Sequence, residues 1–179
     1  MKRISLLMIL CLLIFTFCTG CGRNSSRVVD LTSLKNEVGE YQFPDLAWGS
    51  SREQVENVIG CTFETMSKSE EREMILADIS VECMDVEGHL FCEFGQTGLD
   101  EVRINFKPAA EQQEEVWNEM VEMLIKTYGA VEPLVPPMEP EKVVYFWETT
   151  VTRRTALTIR ESNGTISLEV YIIPAEKSQ

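Results

Sequence analysis

Asn163-Gly164 lies between two runs in which apolar and polar residues alternate, Thr155 to Glu161 and Thr165 to Ile173. A type I′ turn needs positive φ at both central residues, and Asn-Gly tolerates this best, so the pair predicts a two-residue hairpin. The turn also fixes a register: Glu161 opposite Ile166, Ile159 opposite Leu168, Leu157 opposite Val170. Leu157, Ile159, Leu168 and Val170 then share one face. A slip of one residue would move every side chain to the other face. Turn chemistry and hydrophobic pattern therefore specify the same pairing, and this part of the chain is committed to a sheet with one buried side.

The same period of two recurs upstream. Ile75, Ala77, Ile79, Val81 and Cys83 alternate, then Leu90, Cys92 and Phe94, then Val102, Ile104 and Phe106. Turn residues separate these runs at Glu87-Gly88 and at Gly95-Gln96-Thr97-Gly98. Val143 to Thr149 reads as a further strand. Two stretches have helical spacing instead. Trp48 to Gly60 is a short helix, with Ser51 and Gln54 as a capping box, Val55, Val58 and Ile59 as its stripe and Gly60 as its stop. Ala110 to Tyr128 places Val116, Trp117, Met120, Val121, Leu124 and Tyr128 on one face, with five Glu mostly off it. A Pro-rich connector, Pro133 to Pro140, follows.

The two halves match each other. Gly98-x3-Val102-x-Ile104-x-Phe106-x-Pro108 aligns with Gly164-x3-Leu168-x-Val170-x-Ile172-x-Pro174. The expected fold is α+β, with tandem αβββ repeats over about 48–108 and 109–174. They would form one antiparallel sheet of about six strands, with two helices packed on one face and the other face solvated.

Gly49 to Gly60 resembles the Gly-x-Ser-x-x-Glu/Gln-Val-x-x-Ile/Leu-Leu-Gly segment of small bacterial lipoproteins of the SmpA/OmlA kind. It is also similar to repeats of the β-lactamase-inhibitor-protein-like (BLIP-like) fold. The matching positions are Gly49, Ser51, Gln54, Val55, Val58, Ile59 and Gly60. The resemblance implies a non-enzymatic protein that acts by binding other proteins. Two departures stand out: SmpA-like domains have one such unit, and the second helix here lacks the Gly-x-Ser entry.

The N-terminus reads as an address. Lys2 and Arg3 precede the apolar run Leu6 to Phe15, which is too short for a spanning helix of roughly 20 residues and fits a signal peptide. Thr19-Gly20-Cys21 then resembles a lipobox, with Cys18 where Leu is usual. Residues 1–20 are the expected signal peptide, Cys21 the lipidation site, 21–42 a flexible tether and 43–179 the folded domain. The chain carries 16 basic and 29 acidic residues, a formal charge of −13. Loss of residues 1–20 removes Lys2 and Arg3 but no acid, giving −15. Nucleic acid is excluded as a partner, because phosphate binding needs a basic stripe. The expected location is the extracytoplasmic face of the cell membrane.

Catalytic signals are sparse. His89, the single histidine, sits beside the expected Glu87-Gly88 turn, with no partner at catalytic or metal spacing. No metal site, cofactor or enzyme activity is expected. Besides Cys21, the mature part carries Cys61, Cys83 and Cys92. A two-residue turn at Glu87-Gly88 would set Cys83 opposite Cys92, about 4.5 Å apart at Cα, within reach of a disulfide. A type I turn with a bulge over Asp85 to Gly88 would instead set Cys83 opposite Phe91, and two buried free thiols remain the alternative to a bridge. Cys61 reads as a small buried hydrophobe.

By parity, the sheet face away from the core carries Met84, Phe91, Arg103, Arg160 and Tyr171. Aromatics interleaved with Arg have the composition of a protein-binding surface. One of Tyr145, Phe146 and Trp147 must also point that way, since the three are consecutive. The expected function is a membrane-anchored module that binds an exported protein or envelope component. The alternative is a small-molecule or peptide sensor, with a pocket between helices and sheet bordered by Trp48, Trp117 and Trp147.

Overall fold

A computed structural model describes residues 27–134 and 143–174. The signal segment, Cys21 and most of the Pro-rich connector lie outside the described residues. The strands are β1 (Arg27–Val28), β2 (Phe63–Lys68), β3 (Glu73–Cys83), β4 (Val86–Gly95), β5 (Gly98–Phe106), β6 (Val144–Thr149), β7 (Thr155–Ser162) and β8 (Thr165–Ile172). Two α-helices accompany them, α1 (Arg52–Ile59) and α2 (Gln113–Tyr128), with a 3-10 turn at Leu31–Ser33.

The expected tandem αβββ architecture is not what forms. The eight strands make one mixed sheet in the order β1-β3-β4-β5-β8-β7-β6, and β2 also pairs with β3. β1 is parallel to β3, with Arg27 opposite Val81. β2 is antiparallel to it at the other end, Phe63 opposite Ala77. Four strands follow α1 and three follow α2, so the halves are not copies of one unit. The two aligned Gly-to-Pro stretches hold β5 and β8, adjacent antiparallel neighbours with Val102 opposite Val170. The sequence hid β1 and β2 for physical reasons. β1 is two residues long, and only Phe63 of β2 is buried, so neither shows alternation.

The cover of the buried face also differs from two helices alone. α1 buries Val55, and α2 buries Val116, Met120, Val121 and Leu124. Leu31, Leu34, Tyr41, Phe43, Leu46 and Trp48 join the same core, each at most 9% exposed. Within the described part of the stretch read as a tether, 27–42, Val29, Leu31, Leu34 and Tyr41 therefore belong to the core. Polar bonds hold it: Tyr128 Oη accepts from Leu34 N at 2.7 Å and donates to Leu31 O at 2.8 Å. Tyr41 N donates to Thr155 Oγ1 at 2.9 Å, and Trp48 Nε1 to Tyr41 O at 2.9 Å.

The local signals read for α1 and the last hairpin are present. Ser51 and Gln54 exchange both bonds of a capping box, and Gly60 closes α1 at φ 78°. Asn163 and Gly164 take φ of 53° and 76°, and β7 pairs with β8 in the register that Asn-Gly implied.

The β3–β4 turn is corrected. It lies at Met84-Asp85, both at positive φ (54° and 62°), and Cys83 pairs with Val86. Gly88 sits inside β4 for packing, since a Cβ there would lie 2.7 Å from Phe106 and 3.0 Å from the Asn105 carbonyl oxygen. Cys92 pairs with Ile75 instead, across an irregularity between Leu76 and Ser80. Cys92 lies six steps beyond Val86, about 20 Å along β4. Cys83 and Cys92 are both buried and are not joined to each other, and Cys61 is half-buried.

Candidate functional site

The face of the sheet opposite the core is built by strand pairing. One cross-strand row runs Leu76, Phe91, Arg103, Glu169, Thr158, Phe146 over six strands. The next runs Met74, Glu93, Glu101, Tyr171, Ala156, Glu148. Most of these side chains are half-exposed, because each leans on its row neighbours. Trp147 and Tyr145 oppose Leu157 and Ile159 of the core, so Phe146 is the aromatic that faces outward.

Ion pairs lace the two rows together. Glu169 Oε1 takes Arg103 Nε at 3.0 Å and Arg160 Nη2 at 2.7 Å, while Arg103 Nη2 reaches Glu101 Oε1 at 2.5 Å. Arg72 pairs with Glu93 at 2.6 Å and Asp100 at 3.1 Å. Glu93 and Glu101 are directly opposite, an arrangement that like charges disfavour; each is answered by its own arginine. Arg103 Nε is buried, and its approach to Glu169 is close without the alignment of a hydrogen bond. Burial pushes the Glu101 carboxyl up; the pull of Arg103 offsets only part of this, and Glu169 and Glu93 add to it. Burial, with the nearby Glu169, Glu101 and Glu148, also raises the Tyr171 phenol.

Four of the five side chains expected on this face are there, and the rows bring Phe91, Arg103, Arg160 and Tyr171 together. Met84 is not. Alternation ends at Cys83, and the turn sends Met84 toward α2, where it borders a hollow of about 320 Å³ with Glu119, Glu122, Met123 and Lys126. Glu101, Glu169 and Phe146 complete the face. Glu169 shares the outward parity of Tyr171 in β8, whereas Arg103, which pairs with it, comes from β5, far away in the chain. His89 is exposed on the same face, opposite Ser80 and Asn105. Among the described residues no group of three or more His, Cys, Asp or Glu could hold a metal ion.

A second concavity, of about 300 Å³, lies between the start of α2 and the β6–β7 end of the sheet. Ala110, Gln113, Glu114, Trp117, Val143 and Glu161 line it. Of the three tryptophans expected to border one pocket, Trp117 does. Trp48 is buried against the Tyr41 carbonyl, and Trp147 is buried and bonded to Gly129 O at 2.7 Å. Among protein families, curated proteins and solved structures, none matches this chain.

Proposed function

We propose that this chain is a membrane-anchored, extracytoplasmic lipoprotein that binds an exported protein or envelope component through the outer face of its sheet, without enzymatic chemistry. The observation that carries the binding reading is the row Leu76, Phe91, Arg103, Glu169, Thr158, Phe146. It combines apolar and aromatic ends with Arg103, held in place by Glu169 and Glu101, and Glu169 also holds Arg160 beside the row. Arginines fixed by neighbours lose less side-chain entropy on binding, and Arg with aromatics is the usual chemistry of interface hot spots. The anchor rests on Lys2, Arg3, the apolar run and Cys21. Acyl chains on one cysteine, at about 0.8 kcal/mol per buried CH₂, hold such a protein stably.

Site-specific photo-crosslinking in intact cells tests the face. A crosslinker at Phe91 or Phe146 is expected to trap one discrete partner, and a crosslinker at Glu119 on α2 is not. Arg103→Ala with Arg160→Ala should weaken that adduct. Equal adducts from Glu119, or none from the sheet, would sink the reading. Fatty-acid labelling of wild type against Cys21→Ala tests the anchor, and equal labelling rejects it.

A second reading, a small-molecule or peptide sensor, has one observation in its favour: Trp117 lines a cavity between helix and sheet.

A further inference from the structure

We infer that the cavity between α2 and the β6–β7 end of the sheet takes the cationic head of an organic amine, an ammonium or guanidinium on a short alkyl stem. The inference rests on the sensor reading and does not depend on the outer face of the sheet.

One wall is aromatic. Trp117 lines the cavity, and behind it the Tyr145 ring lies 6.1 Å away, with Trp147 stacked 6.2 Å beyond. This bank of rings fixes the indole. An indole face attracts cations through its quadrupole, more strongly than the rings of Tyr or Phe.

The lining also carries a positioned carboxylate. Glu161 Oε1 accepts Gln113 Nε2 at 2.8 Å and Gly164 N at 2.9 Å. Both bonds go to one oxygen, and among the described residues no bond goes to Oε2. Glu114 adds a second carboxylate at the rim, and Ala110 and Val143 supply apolar surface for a stem. No basic side chain stands among the described lining residues. An anion would meet two carboxylates here, inside a chain of net charge −13. A cation gains from the carboxylates, the ring and the long-range field at once. The volume of about 300 Å³ is at the small end for ligand pockets and suits a head group with a short chain.

Calorimetric titration of the full chain in detergent micelles tests this with three probes. Choline is the cation, 3,3-dimethyl-1-butanol its neutral isostere, and N-acetyl-lysine amide the same charge on a peptide unit. Choline or the lysine amide is expected to saturate one site, with the neutral alcohol at least about tenfold weaker. Glu161→Gln keeps an acceptor for Gly164 and should weaken the cation about tenfold. Trp117→Leu should do the same. Glu114→Gln changes only an exposed rim residue and serves if Glu161→Gln fails to fold. Tighter binding of the lysine amide than of choline would assign the cation to a protein side chain, and the reverse to a free amine. Equal binding of the neutral alcohol would overturn the cationic class and leave a sensor standing. No saturable binding of either cation, or binding unchanged in Glu161→Gln, Glu114→Gln and Trp117→Leu, would overturn the inference. The sensor reading itself is judged apart from it, by Trp117 emission against neutral and anionic small molecules.

Discussion

Arg103 and Glu101 show how a half-buried charge changes a protein's response to pH. The Glu101 carboxyl is raised, chiefly by burial, so the folded chain holds that proton more tightly than the unfolded chain does. Stability from this group is therefore present at low pH and lost as pH rises through its folded value. Acidification from neutrality should first raise stability, down to the ordinary Glu range near about 4.3. Below that, Glu73 takes stability away. Burial pushes its carboxyl up, but bonds from Lys68 and Arg52 outweigh this and hold it low. Denaturant unfolding across this range should show the early gain in wild type and not in Glu101→Gln. Cysteine reactivity gives a second check at the same scale. Burial raises the thiols of Cys83 and Cys92 to about 12, and the thiolate is the reactive form. In a soluble form starting at Gly22, alkylation at pH 8 should modify Cys61 first. Cys83 and Cys92 should react only on unfolding, where all three thiols become accessible.

At the scale of elements, α2 is tied to the N-terminal segment through one hydroxyl. Tyr128 satisfies Leu34 N and Leu31 O together, and its ring meets Tyr41 edge-on at 5.5 Å. Tyr128→Phe keeps the ring and strips both bonds, leaving a buried N–H without its partner. The expected cost is about 1–3 kcal/mol, read from denaturant melts. Amide exchange should rise at Leu34 in the same variant while β7 and β8 stay protected. The β3–β4 turn teaches a related lesson. Glu-Gly looked like the turn because glycine relieves a tight bend. Here Gly88 relieves crowding by Phe106 from β5, and Met84-Asp85 makes the bend. That strand-to-strand approach leaves no mark on the local sequence.

For the whole molecule, the decisive change is in 27–42, the described part of the expected tether, which together with 43–48 closes the core instead of spanning toward the membrane. Only five residues then lie between Cys21 and Arg27. Fully extended, the six steps between them reach at most about 20 Å. An anchored body would stand close to the bilayer, held by the sheet edge that carries β1. A chain starting at Gly22 is expected to fold, and one starting at Ala47 is not. Loss of Leu31, Leu34, Tyr41, Phe43 and Leu46 uncovers the sheet, and each such side chain contributes about 1.5–3 kcal/mol when fully buried. Circular dichroism and cooperative melting of the two forms check this. A cooperative fold without residues 22–46 would contradict it. The acid is spread unevenly over this body: Glu111, Glu114, Glu115, Glu119 and Glu122 crowd the α2 region, while Glu93, Glu101 and Glu169 of the outer sheet face are answered by Arg72, Arg103 and Arg160.

The sequence by itself determined what is local. Ser51 with Gln54, Gly60, Asn163-Gly164 and the apolar alternation act over a few residues. They fixed α1, most of α2, the last hairpin and the inward parity of the strands from Ile75 onward. From that parity followed the outward placement of Phe91, Arg103, Arg160 and Tyr171. Only the tertiary structure decided the rest, because it depends on contacts between distant residues. Phe63 needs Ala77 across a turn to show that β2 exists. Arg27 needs Val81, and Leu34 needs Tyr128, to turn a polar-looking tether into core. The Glu101–Arg103–Glu169–Arg160 cluster needs β5 beside β8. Trp117 needs Glu161, brought from the far end of the next hairpin, before it borders a pocket at all.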